Sequence, residues 1–178
     1  YVERVSSSGQ MMRVVQAVGT RAPLHATAVG KVFLAEDGVD AAATYAQRTG
    51  LTRLTEHTLT DAAILSNELA QIRLQGYAID REEAEKGVSC IGAGIRDDEG
   101  RRVAGLSVSA PADRLDPAWA VRVRDTAEQV SRADLRILQC HDVFHRGGEA
   151  RLAIHALTAR DDVVVVLGLV GHQPFDAR

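Results

Sequence analysis

Gly76-Tyr77-Ala78-Ile79-Asp80-Arg81-Glu82-Glu83, followed by Gly87-Val88-Ser89-Cys90-Ile91-Gly92, is the stretch on which the reading of this chain turns. A third run comes after it, Val103-Ala104-Gly105-Leu106-Ser107-Val108-Ser109-Ala110-Pro111. Tyr77–Glu82, Ser89–Asp97 and Arg101–Ser109 read as strands, the last two joined by Asp98-Glu99-Gly100, a strong hairpin signal. If Asp97 pairs with Gly100, Cys90 stands opposite Ser107 and Val88 opposite Ser109. Side chains alternate along a strand, so Cys90, Ser107 and Ser109 then share one face. A bulge at Gly100 would displace this register by one residue and break the alignment. On this reading an acid, a thiol and two hydroxyls gather in a small polar pocket with apolar walls.

Working outward, Thr60-Asp61 opens a helix that runs to about Gln75. Leu65, Leu69 and Ile72 lie on one face of it, and Gly76 stands where a C-terminal glycine belongs. Upstream, Thr27 is placed to cap a helix from about Ala28 to Ala35, with Val29, Val32 and Phe33 on its apolar side. A short helix is expected at Val39–Arg48, ended by Gly50. Tyr1–Val5 and Met12–Val18 read as strands around the turn Ser6–Gly9. Downstream, Asp116-Pro117 is a helix start, and Trp119, Val123, Ala127 and Val130 repeat at helical spacing, which makes Trp119 a core residue. The charged run Arg81–Lys86 reads as a solvated strand end.

Composition narrows the function. The chain has 178 residues, 46% hydrophobic and 25% charged, with net charge −3. It can bury a core and is not a disordered composition. No basic patch is present to neutralise phosphates, so this chain alone is not expected to hold DNA. Cys90 and Cys140 have neither disulfide nor metal spacing, which suits a reduced, cytoplasmic setting. No signal peptide is evident, and the longest apolar run, Val163 to Val170, falls short of the roughly 20 residues needed to cross a bilayer, so no membrane partner is expected. The chain opens at Tyr1 on an apparent strand and reads as a piece of something longer.

Three segments together resemble the effector-binding domain of the IclR family of bacterial transcription regulators. They are Arg21-Ala22-Pro23-Leu24-His25-Ala26-Thr27-Ala28-Val29-Gly30-Lys31, then Gly76-Tyr77 with Asp80, Glu83 and Cys90, then Ile95-Arg96-Asp97 with Ser107-Val108-Ser109. The match runs without a gap from about Arg21 to Arg114. The resemblance implies an α/β fold, a curved antiparallel sheet packed against helices in a GAF-like or PAS-like manner. It implies a sensor that binds a small organic acid, self-associates as a dimer or tetramer, and reaches DNA only through a winged helix-turn-helix absent from this chain. It assigns effector binding to Ala28, Val29, Asp80, Cys90, Ser107 and Ser109. Met11, Val14 and Val88 are added as an apolar wall. A carboxylate would suit the helix start at Ala28 and Val29, while Asp80 would accept a hydrogen bond from a ligand hydroxyl or bridging water. No cofactor is implied. The family-like domain is expected over residues 1–136, with residues 137–178 an extension without resemblance; within it the Val163–Val170 run could add a strand.

Other readings are weaker. Cys90 as nucleophile with His25 as base and Asp80 as orienting acid lacks any local oxyanion hole or nucleophile elbow. His25 reads better as a hydrogen-bonded structural residue. His141, His145 and Glu149 have helical spacing for a metal, but Gly147-Gly148 interrupts the helix. The Gly87–Gly94 segment lacks the Gly-Lys-Ser/Thr ending of a phosphate loop. The expectation is therefore a sensor rather than an enzyme, with a GAF-like dimerisation module bearing a vestigial pocket as the alternative.

Overall fold

The structure is a computed structural model that describes residues 21–132 in full and residues 3–6 and 164–169 as backbone. The elements are β1 (Glu3–Ser6), a single 3-10 turn (Leu24–Ala26), α1 (Ala28–Glu36), α2 (Ala41–Thr49), α3 (Ala62–Gln75), β2 (Tyr77–Arg81), β3 (Val88–Arg96), β4 (Arg102–Pro111), α4 (Trp119–Arg132) and β5 (Val164–Leu169). The helix ends follow from their caps. Asp61 Oδ1 accepts from the amides of Ala63 and Ile64 at 2.8 and 3.0 Å, which starts α3. Gly76 and Gly50 end α3 and α2 at φ 79° and 68°, a left-handed conformation natural to glycine. Asp116 Oδ1 accepts from Ala118 N at 2.9 Å, just ahead of α4. The expected strand at Met12–Val18 lies outside the described residues.

The five strands form one antiparallel sheet in the order β1-β5-β4-β3-β2. Ile91, Ala93, Ile95, Leu106 and Val108 pack against Ala120, Val123, Ala127 and Val130 of α4, with Trp119 half-buried at the margin. Ala78, Val88 and Cys90 point the other way, into a second core with Ala28, Val32, Leu65, Leu69 and Ile72 from α1 and α3. Both faces are covered, so β3 is buried along nearly its whole length.

The hairpin register differs from the expected one. Asp97 N donates to Arg101 O at 2.9 Å, which moves the pairing by one residue at the turn. An irregularity at Ile95/Arg96 moves it by one more, since Arg96 pairs with Arg102 but Ile95 with Ala104. Val103 is thus the extra residue of a bulge. Cys90 therefore pairs with Ser109, and Gly92 with Ser107. Two single-residue shifts restore parity, so Cys90, Ser107 and Ser109 still share a face although every partner has changed.

β5 comes from the segment beyond position 136. It pairs with β4 from Ala104↔Leu169 to Ser109↔Val164 and with β1 from Glu3↔Leu167 to Ser6↔Val164. It joins two strands that otherwise have no contact through the ladder.

Helix α1 lies unusually close to the sheet. A Cβ at Gly92 would come within 2.8 Å of Val29 N, and one at Gly105 within 2.4 Å of a Val29 methyl. Gly92→Ala should therefore lift α1 from its seat and cost about 1–3 kcal/mol as overpacking, read as a lower midpoint in urea. Ending the chain after Val163 should unpair both β1 and the outer edge of β4. The expected result is a lower melting temperature with aggregation through the bare edge; an unchanged melt would show that β5 adds nothing.

Candidate functional site

The start of α1 sits over the middle of the sheet because Gly92 beneath it has no side chain. Thr27 stands at the N-cap as its position suggested, and its carbonyl accepts from Lys31 N at 2.8 Å, but its side chain makes no capping bond. Its hydroxyl donates instead to Pro23 O at 3.2 Å. The first-turn amides of Ala28 and Val29 therefore have no capping side-chain oxygen, Val29 N lies close to Gly92, and the helix dipole places partial positive charge there.

Opposite them the strands present two rows. Asp80 pairs with Cys90, Cys90 with Ser109, Ser109 with Val164 and Val164 with Ser6. The next row on the same face runs Ala78, Gly92, Ser107, Val166 and Arg4. Cys90 Sγ lies 3.0 Å from Ser109 Oγ. Asp80, Cys90, Ser107 and Ser109 are all buried, Asp80 to 1% and Ser109 to 0% exposure. The structure thus gathers Ala28, Val29, Asp80, Cys90, Ser107 and Ser109 between one helix end and one sheet face, with Val88 buried in the same core. Met11 and Val14 lie outside the described residues.

Behind Asp80 stands a charge cluster. Lys31 is fully buried on α1, and its ammonium donates to Ile79 O at 2.7 Å, Glu83 Oε1 at 2.7 Å and Glu68 Oε1 at 3.1 Å. Those bonds use all three of its donors. Glu83 belongs to the charged run expected to be solvated, yet it is only 4% exposed. The reversal has a local cause. Glu82 adopts φ 60°, which turns the chain so that Glu83 N donates to Asp80 Oδ1 at 2.7 Å. Thr55 and Thr58 clamp the turn through the carbonyls of Glu82 and Glu83 at 2.6 and 2.7 Å. The signal for this cluster was a single lysine inside an otherwise apolar helix.

Electrostatics follow burial. Loss of solvent, reinforced by the Glu83 charge, pushes the Asp80 carboxyl up to about 7, against the hydrogen bonds from the Glu83 and Ala84 amides and the Lys31 charge. Burial and then the neighbouring Asp80 charge push the Cys90 thiol well above its ordinary value. That is the reverse of what a nucleophilic cysteine needs. His25 is held below its usual value by burial, with Nε2 3.1 Å from Thr52 O and its ring against Tyr45, a structural role. Among the described residues no group of three or more His, Cys, Asp or Glu is arranged for a metal ion. The proposed ligands His141, His145 and Glu149 lie outside them.

A broad groove also opens at the far end of α1, lined by Glu36, Asp37, Arg73, Arg96, Arg102 and Arg124. Its cations are already engaged. Arg96 bonds Glu36 at 2.5 Å, Arg102 bonds Phe33 O and Asp37, Arg73 bonds Ala35 O, and Arg124 bonds Asp125. Each of these cations already has an acceptor, although Arg102 Nε is buried without a partner among the described residues; the polar row under the α1 N-terminus is the better candidate.

Residues 1–132 match the family model described as the bacterial transcriptional regulator IclR C-terminal domain. The HTH-type transcriptional repressor AllR of Salmonella paratyphi A is 41% identical over 127 residues, 69% of this chain and 47% of the repressor. The chain thus spans about half the length of the repressors it matches. Among solved structures, the Thermotoga maritima IclR has a TM-score of 0.61 at 34% identity, covering 69% of this chain and 51% of that one. The inducer-binding domain of a PobR double mutant from Acinetobacter, in complex with 3-hydroxybenzoic acid, has a TM-score of 0.62 at 28% identity, covering 70% and 76%.

Removing the buried cation exposes what it balances. Lys31→Met should destabilise by about 3–5 kcal/mol, since it leaves Glu83 buried without its partner. Lys31→Met with Glu83→Gln should recover part of that loss in urea denaturation.

Proposed function

The chain belongs to the IclR family of bacterial transcriptional regulators and carries its C-terminal domain, and on that premise we propose that it senses a small organic acid and passes the signal to a DNA-binding domain outside this chain. The observation that carries the reading is the α1 N-terminus, free of a capping side chain and held over Cys90, Ser107 and Ser109. Backbone amides and the helix dipole favour a carboxylate. Serine hydroxyls rotate to serve either as donor or as acceptor. The glycine beneath the helix lets the helix end itself come down onto the sheet beside the serines. The PobR neighbour's complex with 3-hydroxybenzoic acid supports an acid as ligand.

The sensor acts in the cytoplasm as a dimer or tetramer and does no chemistry on its ligand. Its raised Cys90 thiol supports that last point. No described helix is long and apolar enough to cross a membrane. Ligand shifts the arrangement of protomers only to the extent that it binds one arrangement better than the other. The full burial of Ser109 favours a second reading, a dimerisation module whose pocket has closed.

A thermal-shift screen against keto, hydroxy, sugar and aromatic acids separates the two. A ligand at a hundred times its dissociation constant should stabilise by about 2.7 kcal/mol. Ser109→Ala should weaken that ligand roughly tenfold, the worth of one neutral hydrogen bond, with little change in the melt of the free protein. A flat screen on folded protein would favour the closed module, and an unchanged dissociation constant would remove Ser109 from the site.

A further inference from the structure

The site proposed above holds an excess of acid over base. Lys31 is the cation buried within it, and its three donors go to Ile79 O, Glu83 and Glu68. None reaches Asp80, which accepts instead from the backbone amides of Glu83 and Ala84 and from the Cys90 thiol. Glu83 carries a second carboxylate oxygen, Oε2, buried without a hydrogen-bonding partner among the described residues. One ammonium therefore stands among three carboxylates. Glu68 is partly exposed, with 31% of its side chain open to solvent, and is eased by water. Asp80 and Glu83 are enclosed, with one cation between them. An effector carboxylate seated at the α1 N-terminus would add another negative charge to the row that Asp80 heads.

Resting on the organic-acid reading, we propose that Asp80 takes up a proton when the effector anion binds, so that it meets the ligand as a carboxylic acid donor and makes effector affinity depend on pH. The groups that face it are consistent with this assignment. Glu83 from the turn after β2 repels its charge. Lys31 from α1 attracts it from a distance while bonded elsewhere. Cys90 from β3 stays a neutral thiol, joined to Ser109 of β4. Burial holds the His25 imidazole below its usual value, against the pull of the Glu83 charge. Asp80 is the enclosed carboxylate that Lys31 does not contact, and burial pushes it up to about 7. The direction follows by linkage. Free Asp80 titrates at about 7, and a bound anion raises that value further. Affinity should then be level below about pH 6 and fall by up to roughly tenfold per pH unit above 7, where binding must draw a proton from solution.

The test is calorimetric titration of the 178-residue chain with 3-hydroxybenzoate and with pyruvate, both monoanions across the range. Each is run at pH 5.5 and pH 8 in two buffers of different ionisation enthalpy. The expected result is uptake approaching one proton per site at pH 8, almost none at pH 5.5, and weaker binding at pH 8. Asp80→Asn keeps a donor without a titrating group and should abolish both the uptake and the pH dependence. Binding without uptake in the native chain would overturn the inference and leave the organic-acid reading intact. Uptake that persists in Asp80→Asn would place the proton elsewhere and overturn it too. Failure of both probes and of the wider thermal-shift panel would overturn the organic-acid reading, and this inference with it. If Asp80→Asn does not fold, Asp80→Ser takes its place, since it keeps a hydroxyl donor without a group that titrates in this range.

Discussion

Helix α1 can rest on the sheet only where the strands beneath it carry no Cβ. Gly92, Gly94 and Gly105 supply that clearance, and two of them would drive a methyl group into Val29 if they had one. The consequences spread in both directions along the helix. Its N-terminus is brought over the serines of β4, and Lys31 one turn later is brought down to the Ile79 carbonyl and Glu83. A helix raised by the width of a methyl group would lose both arrangements together. The clearance also explains why α1 is buried at every position but Glu36 and has no polar face. It is a wedge between sheet and α3 rather than a surface helix.

The two faces of the sheet divide the work. On the α4 side the contacts are aliphatic, Ile91, Ile95, Leu106 and Val108 against Val123 and Val130, and burial of that kind supplies most of the stability of such a domain. On the α1 side the same strands carry glycine, serine, cysteine and aspartate. These small or polar residues pack less apolar area but leave donors and acceptors under the helix. Alternation along a strand makes the division possible with no change of backbone. Stability on one face permits the strained electrostatics of the other, where a buried acid, a buried lysine and an unusual φ at Glu82 coexist.

Much of this was legible in the sequence. Asp61, Gly50 and Gly76 mark helix ends by local chemistry alone, and the structure places those ends within about two residues of the expected positions. The face shared by Cys90, Ser107 and Ser109 was legible for a subtler reason, since parity survives an even register shift. The partners were not legible, because one shift depends on how the turn closes between Asp97 and Arg101 and the other on how Val103 is accommodated, and nothing in the Val103 side chain announces a bulge. Thr27 looked like a side-chain cap because the residue type is right; its hydroxyl went to Pro23 O, a choice set by the 3-10 turn before it. The burial of Glu83 was hidden because its neighbours in sequence are charged, whereas its neighbours in space are Lys31, Thr55 and Thr58. Local composition cannot report a partner 52 residues away.

The strand supplied by Val164–Leu169 raises a related point about where a site ends. In the ladder, Val164 lies opposite Ser109 and Val166 opposite Ser107, so the rows that hold the serines run on beyond β4, with valine as the next residue in each. They continue through β5 to Ser6 and Arg4 of β1. A Val-rich run reads as a strand by propensity, but propensity names no partner. Its position between β1 and β4 follows from the edge that β4 would otherwise leave open, a row of backbone donors and acceptors that must be paired or solvated. The same pairing that satisfies this edge places residues from outside the family-matched segment beside the two serines of the candidate site. The ladder thus fixes which residues stand beside the serines on the β5 side, a placement that the motif around the serines does not specify.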